Sequence, residues 1–547
     1  MKKILLSILF AMLALSVVSC TETTTTATTK ATTTRDTSWK VQYDPALTSP
    51  DFRDNVGTCY QIFTIAWADS NGDGYGDFKG IEDNLDYLAN DLNVDCIWMT
   101  PFNASPSYHK YDVTDYYAVD PQFGTIADLE SLLSKAHDRG IRVLMDFVIN
   151  HTSANHPWFV NATIGPASSY RNFYVWNDLS DRQAFPSRDA WYRSGDMYYF
   201  ASFWSQMPEL NYDNPAVRAE IKAIASYWLD KGIDGFRIDA AKHIYDPAEY
   251  PIGTPTLREN VDWFEEFNAH VKSVDPDAIV LGEVFVLSGS FVANYYAGMD
   301  SAFDFDFADK LMQSAMSNYD AGALSNLIAT RAAIQAKRSD GIDSLFLTNH
   351  DQDRIADRLG HNVDKLKLVN RVLMTLPGIA WIYYGEELGM SGVKPDGQIR
   401  QPFIWDGTRT AYVTQAKPNG ISAWTTINQT LPGVEAQKAD PDSLLSSYMA
   451  VTALRRDHIV LRLGDLQAVD NSNNRLMAYT LTYDGVTYLV IHNFASQDTL
   501  TTHDLSGHTL VWQSAPVLDE AGVLTIPAYQ SVVFQINQSA VTMRQPV

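Results

Sequence analysis

Three carboxylates close short apolar runs in this chain: Asp239 in "IDGFRIDAA", Glu283 in "AIVLGEVF", and Asp351 just past "DSLFLTN". Arg237 stands two residues before Asp239, and His350 directly precedes Asp351. His151 follows the run "IRVLMDFVIN", which holds Asp146 and Asn150. Taken singly, each carboxylate reads equally well as a helix cap or a surface charge. Brought to one place, they can do chemistry. Paired carboxylates in an aromatic-rich surround suit cleavage of a glycosidic bond, where one attacks or stabilises the anomeric carbon and the other protonates the leaving oxygen. Arg237 and Asp239, two apart on a strand, face the same side, and there the cation favours an ionised Asp239.

A second cluster of oxygen ligands is "DSNGDGYGD" at residues 69–77. Oxygen side chains at alternate positions, with Gly74 permitting a sharp turn, match the first half of an EF-hand loop. The bidentate Glu that such a loop needs at its twelfth position is Gly80 here, and the preceding "VGTCYQIFTIAW" reads as a strand, not a helix. The loop suits a hard cation but is not an EF-hand.

The elements that must position these groups recur with a regular rhythm. Apolar, β-branched or aromatic runs lie at Val56–Ile65 and begin at Val94, Ile141, Ile233, Ala278, Ser301, Asp343 and Gly378. Amphipathic stretches between them (80–92, 126–139, 216–231, 260–274, 310–319, 324–337, 364–376) read as helices. Strands alternating with helices predict a parallel sheet, and about eight units predict an α/β fold of the (β/α)8 TIM-barrel class. The catalytic barrel is expected over 51–150 and 212–460, with an aromatic, Asn- and Ser-rich subdomain over 151–211, inserted after strand 3. From 461 to 547 short alternating runs such as "RLMAYTLTY" and "VTYLVIHNF" predict a C-terminal antiparallel β-sandwich. Barrel active sites lie at the C-terminal ends of the strands, where Asp239, Glu283 and Asp351 all fall.

The N-terminus reads as processing sequence. Lys2 and Lys3 precede an apolar run from Ile4 to Val18, too short for a membrane span, that ends in "VVSC". This resembles a bacterial lipoprotein signal over 1–19, cleaved before a lipidated Cys20; the alternative is an ordinary signal with an incidental Cys. Residues 20–50 are Thr-rich, with little to bury, and read as a tether. The expected location is therefore the cell envelope, outside the cytoplasmic membrane, with membrane contact only through that lipid. Cys59 and Cys96 lie in apolar strand-like runs and read as two buried thiols, a disulfide being the alternative. A formal charge of -24 argues against nucleic acid as a partner, since that binding rests on Lys and Arg meeting phosphate. A monomer is expected.

Beyond about residue 50 the chain resembles the α-amylase family of glycoside hydrolases. "DFVINH" (146–151), "MPELN" (207–211), "GFRIDAAKH" (235–243), "GEVF" (282–285) and "TNHDQDR" (348–354) follow the order of that family's short signatures. The resemblance implies Asp239 as nucleophile, Glu283 as general acid and then base, and Asp351 as stabiliser of the cationic, distorted sugar. It implies sugar contacts from Tyr111, which stacks in "YHKYDVTDY", and from His151, Arg237 and His350. It further implies a calcium ion held by the side chains of Asp69, Asn71, Asp73 and Asp77 and the carbonyl of Tyr75. Many relatives hold a second calcium through Asn150 and the carbonyl of His243; its partner from the subdomain is not identifiable here. Lys242 and His243 resemble the leaving-group pair of endo-acting α-amylases, which implies retaining hydrolysis of α-1,4-glucans. "MPELN" resembles a subfamily between oligo-1,6-glucosidases and neopullulanases, so an α-1,6-active enzyme or a transglycosylase stands as the alternative, and a non-catalytic glucan-binding lipoprotein as a third. Lys110 replaces the Gly usual in the family's "HGYD", and is expected to set a long cation beside Tyr111.

Overall fold

Helices cover the outside of the apolar runs and side chains fill the inside, so nearly every strand residue is buried. The computed structural model describes residues 57–179, 189–250, 254–407, 414, 425–470, 473–501, 508–520 and 523–537. The segments expected to be a signal sequence and a tether, with Cys20, lie outside them. Eight parallel strands close a barrel: β1 (Thr58–Ile62), β2 (Cys96–Met99), β3 (Arg142–Phe147), β4 (Gly235–Ile238), β5 (Ile279–Gly282), β6 (Ser301–Phe303), β7 (Ile342–Phe346) and β8 (Ile379–Tyr383). They pair in chain order, and β8 pairs back to β1. The period of two sorts their side chains. Cys96 and Trp98 of β2 and Ile279 and Leu281 of β5 fill the barrel interior, while Ile97, Met99 and Val280 face the helical layer.

The helices start where capping side chains allow. Thr125 and Asp128 form a capping box at Ile126–His137, Asn214 caps Pro215–Asp230, and Asn362 caps Val363–Thr375. Caps also account for departures from the sequence reading. The run "SAFDFDF" is strand only to Phe303, because Asp304 Oδ1 accepts from the Phe307 amide (2.9 Å) and starts a helix at Phe305–Ser317. The expected single helix over 80–92 is a short helix, Phe78–Asp83, then a π-helical turn, Tyr87–Asp91. The widened turn buries the adjacent Tyr87 and Leu88 together.

Between β3 and β4 the chain leaves the barrel for a small antiparallel sheet in which Met197–Phe200 pairs with both Trp176–Asn177 and Trp191–Ser194. It returns through "MPELN", bridged to the strand-3 end at His151↔Glu209. After the helix Leu444–Asp457 come a five-stranded and a three-stranded antiparallel sheet, whose inner faces share a cluster that includes Leu476, Ile491, Ile526 and Phe534.

Cys59 and Cys96 form a disulfide, which corrects the reading as two thiols. They are register partners on β1 and β2, both point into the barrel, and their Cα atoms are 4.6 Å apart. Two successive apolar runs carry no mark of their mutual register, so the pairing was not readable from spacing alone. The bridge closes a separation of 37 residues, which lowers unfolded-state entropy by an amount worth about 2–4 kcal/mol.

Candidate active site

The centre of the barrel mouth is the Arg237 guanidinium. It is fully buried, 4.7 Å over the Trp98 ring. Its Nη1 donates to Asp146 Oδ1 and to Asp239 Oδ1, both at 2.8 Å. Its Nη2 lies 2.9 Å from Glu283 Oε1, at ion-pair distance but outside hydrogen-bonding angles. β3, β4 and β5 thus bring three carboxylates to one cation. The nearest strand residues explain it: Asp146 pairs in register with Arg237 across β3 and β4, and Leu281 with Arg237 across β4 and β5.

These groups titrate differently. Burial pushes Glu283 up to about 7, with the charges of Asp239 and Asp351 adding to it against the pull of Arg237. Burial also raises Asp239, while Arg237 lowers it by charge and hydrogen bond. Asp351 goes the other way. Burial alone would raise it, but His350 and Arg400 bring it down to about 2. Arg400 Nη2 donates to Asp351 Oδ1 at 2.6 Å, and its Nε to the His350 carbonyl at 2.8 Å. One carboxyl able to carry a proton near neutrality thus stands beside an anion, as acid–base work on a glycoside requires. Directly after Asp239, Ala240 takes a left-handed backbone (φ 48°) that aims its N–H at Glu283 Oε2, 2.9 Å away. That backbone region is unfavourable for a residue with a Cβ, and here the turn is held by the contact to Glu283.

Tyr111 and the two histidines lie at the same barrel mouth. Tyr111 Oη donates to Asp146 Oδ2 (2.8 Å), and its ring lies parallel to that of His350, 5.5 Å away. Burial holds both histidines neutral at pH 7, His350 pushed down to about 3 and His151 to about 4. Gln61 of β1 meets His350 Nδ1 at 2.7 Å, leaving Nε2 toward Tyr111 Oη and Asp351. Lys110 is not beside the Tyr111 ring face, contrary to the expectation. It turns away from the pocket into a buried ion pair with Asp120.

The cavity above these groups has a volume of about 620 Å³. Lys242 and His243 line one wall: Lys242 Nζ donates to the Phe285 carbonyl (2.9 Å), and the Phe203 ring meets His243 edge-on at 5.1 Å. Phe203, Trp204 and Phe285 are exposed at the rim, as suits sugar stacking. The sequence reading missed Arg400 and Asp396, which also line the cavity. They follow β8 in "DGQIR", a stretch with no periodic signal.

The oxygen-rich loop closes on itself. Asp69 accepts from the amides of Asn71, Gly72 and Gly74, and Asp77 from Ser70 and Gly80. Gly74 has the left-handed backbone (φ 96°) that the turn needs. Among the described residues, no three acidic, His or Cys side chains converge as metal ligands. A different set of oxygens is orphaned. Asn150 Oδ1, Glu209 Oε2 and Glu249 Oε1 are buried without a hydrogen-bond partner. Burial pushes Glu209 up to about 8, and raises Glu249 with further contributions from the Glu209 and Asp246 charges. Glu209, from "MPELN", is thus a wholly buried subdomain carboxylate beside Asn150.

A (β/α)8 barrel with this carboxylate cluster at its strand ends defines an enzyme that cleaves glycosidic bonds. Residues 61–464 match the family described as "Alpha amylase, catalytic domain". The chain belongs to the α-amylase family of glycoside hydrolases. It is 40% identical to Alpha-amylase 3 of Dictyoglomus thermophilum over 439 residues, covering 79% of this chain and 84% of that protein. It is 31% identical to an oligo-1,6-glucosidase of Halalkalibacterium halodurans, covering 80% and 89%. The crystal structure of alpha-amylase from H. orenii superposes with a TM-score of 0.79 at 35% identity, covering 88% of this chain and all of that one.

Proposed function

We propose that the protein hydrolyses α-1,4-glucosidic bonds of starch, glycogen or maltodextrins with retention of configuration. The observation that carries this reading is Arg237 holding Asp239 and Glu283 together under a cavity that Lys242 and His243 line. Glu283, protonated, gives its proton to the glycosidic oxygen as Asp239 attacks the anomeric carbon and the C–O bond breaks. The freed chain departs and a β-glycosyl ester forms on Asp239. Glu283, now ionised, takes a proton from a water that attacks the same carbon and releases Asp239. Asp351, kept anionic beside Arg400, faces the positive charge that develops on the sugar ring. Tyr111 stacks on that sugar, and His151 and His350 hydrogen-bond it. Intact carboxylates oppose a purely glucan-binding role. "MPELN" and the oligo-1,6-glucosidase relative favour the second reading, an α-1,6-active or glycosyl-transferring enzyme. Product profiles on maltoheptaose, pullulan and isomaltose decide. Cleavage of maltoheptaose into shorter maltodextrins supports the α-1,4 reading, and turnover of isomaltose alone overturns it.

Calcium is proposed at two places. The side chains of Asp69, Asn71, Asp73 and Asp77 with the Tyr75 carbonyl would hold one ion, pinning the loop after β1. Asn150, Glu209 and the His243 carbonyl would hold another, and the orphaned oxygens there support it, since a cation would offset the repulsion of buried Glu209, Glu249 and Asp246. Bound calcium stabilises the fold by mass action. EDTA is expected to lower the melting temperature, and calcium to restore it. Melting unchanged by EDTA, with no metal found by elemental analysis, would sink both sites.

We further propose that the mature protein is an envelope lipoprotein, anchored through Cys20. Cys20→Ala should shift it from the membrane fraction to the soluble fraction; processed protein that stays with the membrane would refute the anchor.

A further inference from the structure

Lys110 occupies a backbone position that favours glycine, with φ at 65°. Its side chain is nonetheless almost wholly buried and fully engaged. Nζ donates to Asp120 Oδ2 at 2.8 Å, to Gln122 Oε1 at 2.7 Å and to the Ser105 carbonyl at 3.2 Å. These three acceptors use all three ammonium protons. Asp120 is held in turn, accepting from the Ser105 amide at 3.2 Å and the Gln122 amide at 3.1 Å. Ser105 begins the loop between the paired segments Asn103–Ala104 and Asp115–Val119, and Asp120 and Gln122 follow the second of them. One side chain therefore ties the loop tip back to both arms of its hairpin. The residues on either side of it, His109 and Tyr111, line the active-site cavity, and Lys110 does not.

We propose that Lys110 is a positioning residue that holds Tyr111 in register with the reacting sugar. A glycine here would adopt the backbone freely but leave the loop tip to its remaining contacts, chiefly Ser105 Oγ and Ser107 Oγ donating to Asp112 Oδ1, with Tyr111 held at its far end by Oη to Asp146. Lysine accepts an unfavourable backbone conformation, and its buried ion pair tethers the loop. The proposal rests on the glycosidase reading only in that Tyr111 contacts the sugar.

Lys110→Gly relieves the backbone and cuts the tether. Tyr111 stacks on bound substrate and transition state alike, so KM for a nitrophenyl maltotrioside should rise about fivefold while kcat stays within about twofold. In the Tyr111→Ala background the same change should add nothing, because the residue it positions is gone. Lys110→Met combined with Asp120→Asn removes the ion pair without stranding a buried charge, and should give the same KM rise; it decides the matter if Lys110→Gly does not fold. A merely structural Lys110 would lower the melting temperature but leave KM of the folded enzyme at the wild-type value, and that result overturns the proposal. If the wild type ignores maltodextrins but cleaves isomaltose, the α-1,4 reading fails by itself, and the same variants are compared on isomaltose.

Discussion

Asp239→Gly and Glu283→Ala are expected to give opposite anomers of glucosyl azide from one activated α-glucoside. Without azide, loss of either group should cost at least about 10⁴-fold in kcat, the scale seen when one member of a catalytic unit is removed. Retaining sites hold their two carboxyl groups about 5 Å apart, too close for a water to be poised between them. Asp239→Gly opens that space on the β face. Azide can enter it and displace the leaving group once, giving the β-glucosyl azide. In Glu283→Ala, Asp239 still forms its ester when the leaving group needs no acid. Azide then attacks from the vacated α face and gives the α-glucosyl azide. The wild-type rate should fall as pH rises through about 7, the value to which burial pushes Glu283, because the first step needs its proton. That limb should be absent in Glu283→Ala on the activated substrate. The same anomer from both variants, or inverted product from the wild type, would reverse or remove the assigned roles.

What the sequence revealed and what it concealed divide along a physical line. Burial of strands on both faces produces continuous apolar runs, and their spacing with amphipathic stretches made the barrel legible. Polar residues that end such runs fall at one barrel mouth once the runs are read as strands, so Asp239, Glu283, His350 and Asp351 could be grouped from the sequence. Register is not written in hydrophobicity. Cys59 and Cys96 needed the parallel pairing of β1 with β2 before their bond became evident. Groups on irregular loops were equally hidden. Arg400 reaches Asp351 across 49 residues of sequence, and only the path of the chain after β8 brings it there. Glu209 stood in a quoted motif, yet its neighbour Glu249 comes from another loop, and their mutual repulsion exists only in three dimensions. Lys110 shows the opposite error. Its place beside Tyr111 in sequence suggested contact with the ring, but a left-handed backbone turned the side chain away.

Replacing Arg237 with methionine should damage stability and activity together, and the stability loss should depend on pH. The guanidinium is the cation shared by buried Asp146, Asp239 and Glu283. Methionine fills much of the space but leaves three carboxyl groups in an apolar site without their counter-charge. Breaking a buried pair in this way costs about 3–5 kcal/mol when the stranded group stays ionised. The groups can escape that cost only by keeping their protons. Burial already pushes Asp146 and Glu283 up to about 7, against the pull of Arg237. Without that pull, their folded values rise further above the unfolded values near 4. A group whose folded value is raised binds its proton more tightly when folded. Its stabilisation is therefore fully present below the unfolded value and is lost as pH climbs through the folded one. Relative to wild type, the Arg237→Met variant should melt only slightly lower near pH 4–5 and much lower above about pH 8. Activity should fall at least about 10³-fold at every pH, because Asp239 is no longer held ionised and in place. Arg237→Lys keeps a charge but has no planar fork to span three carboxylates, and should lie between the two in melting while recovering little activity. A melting deficit of equal size at pH 5 and pH 8 would show that Arg237 acts through packing against Trp98, not as the counter-charge of the carboxylate cluster.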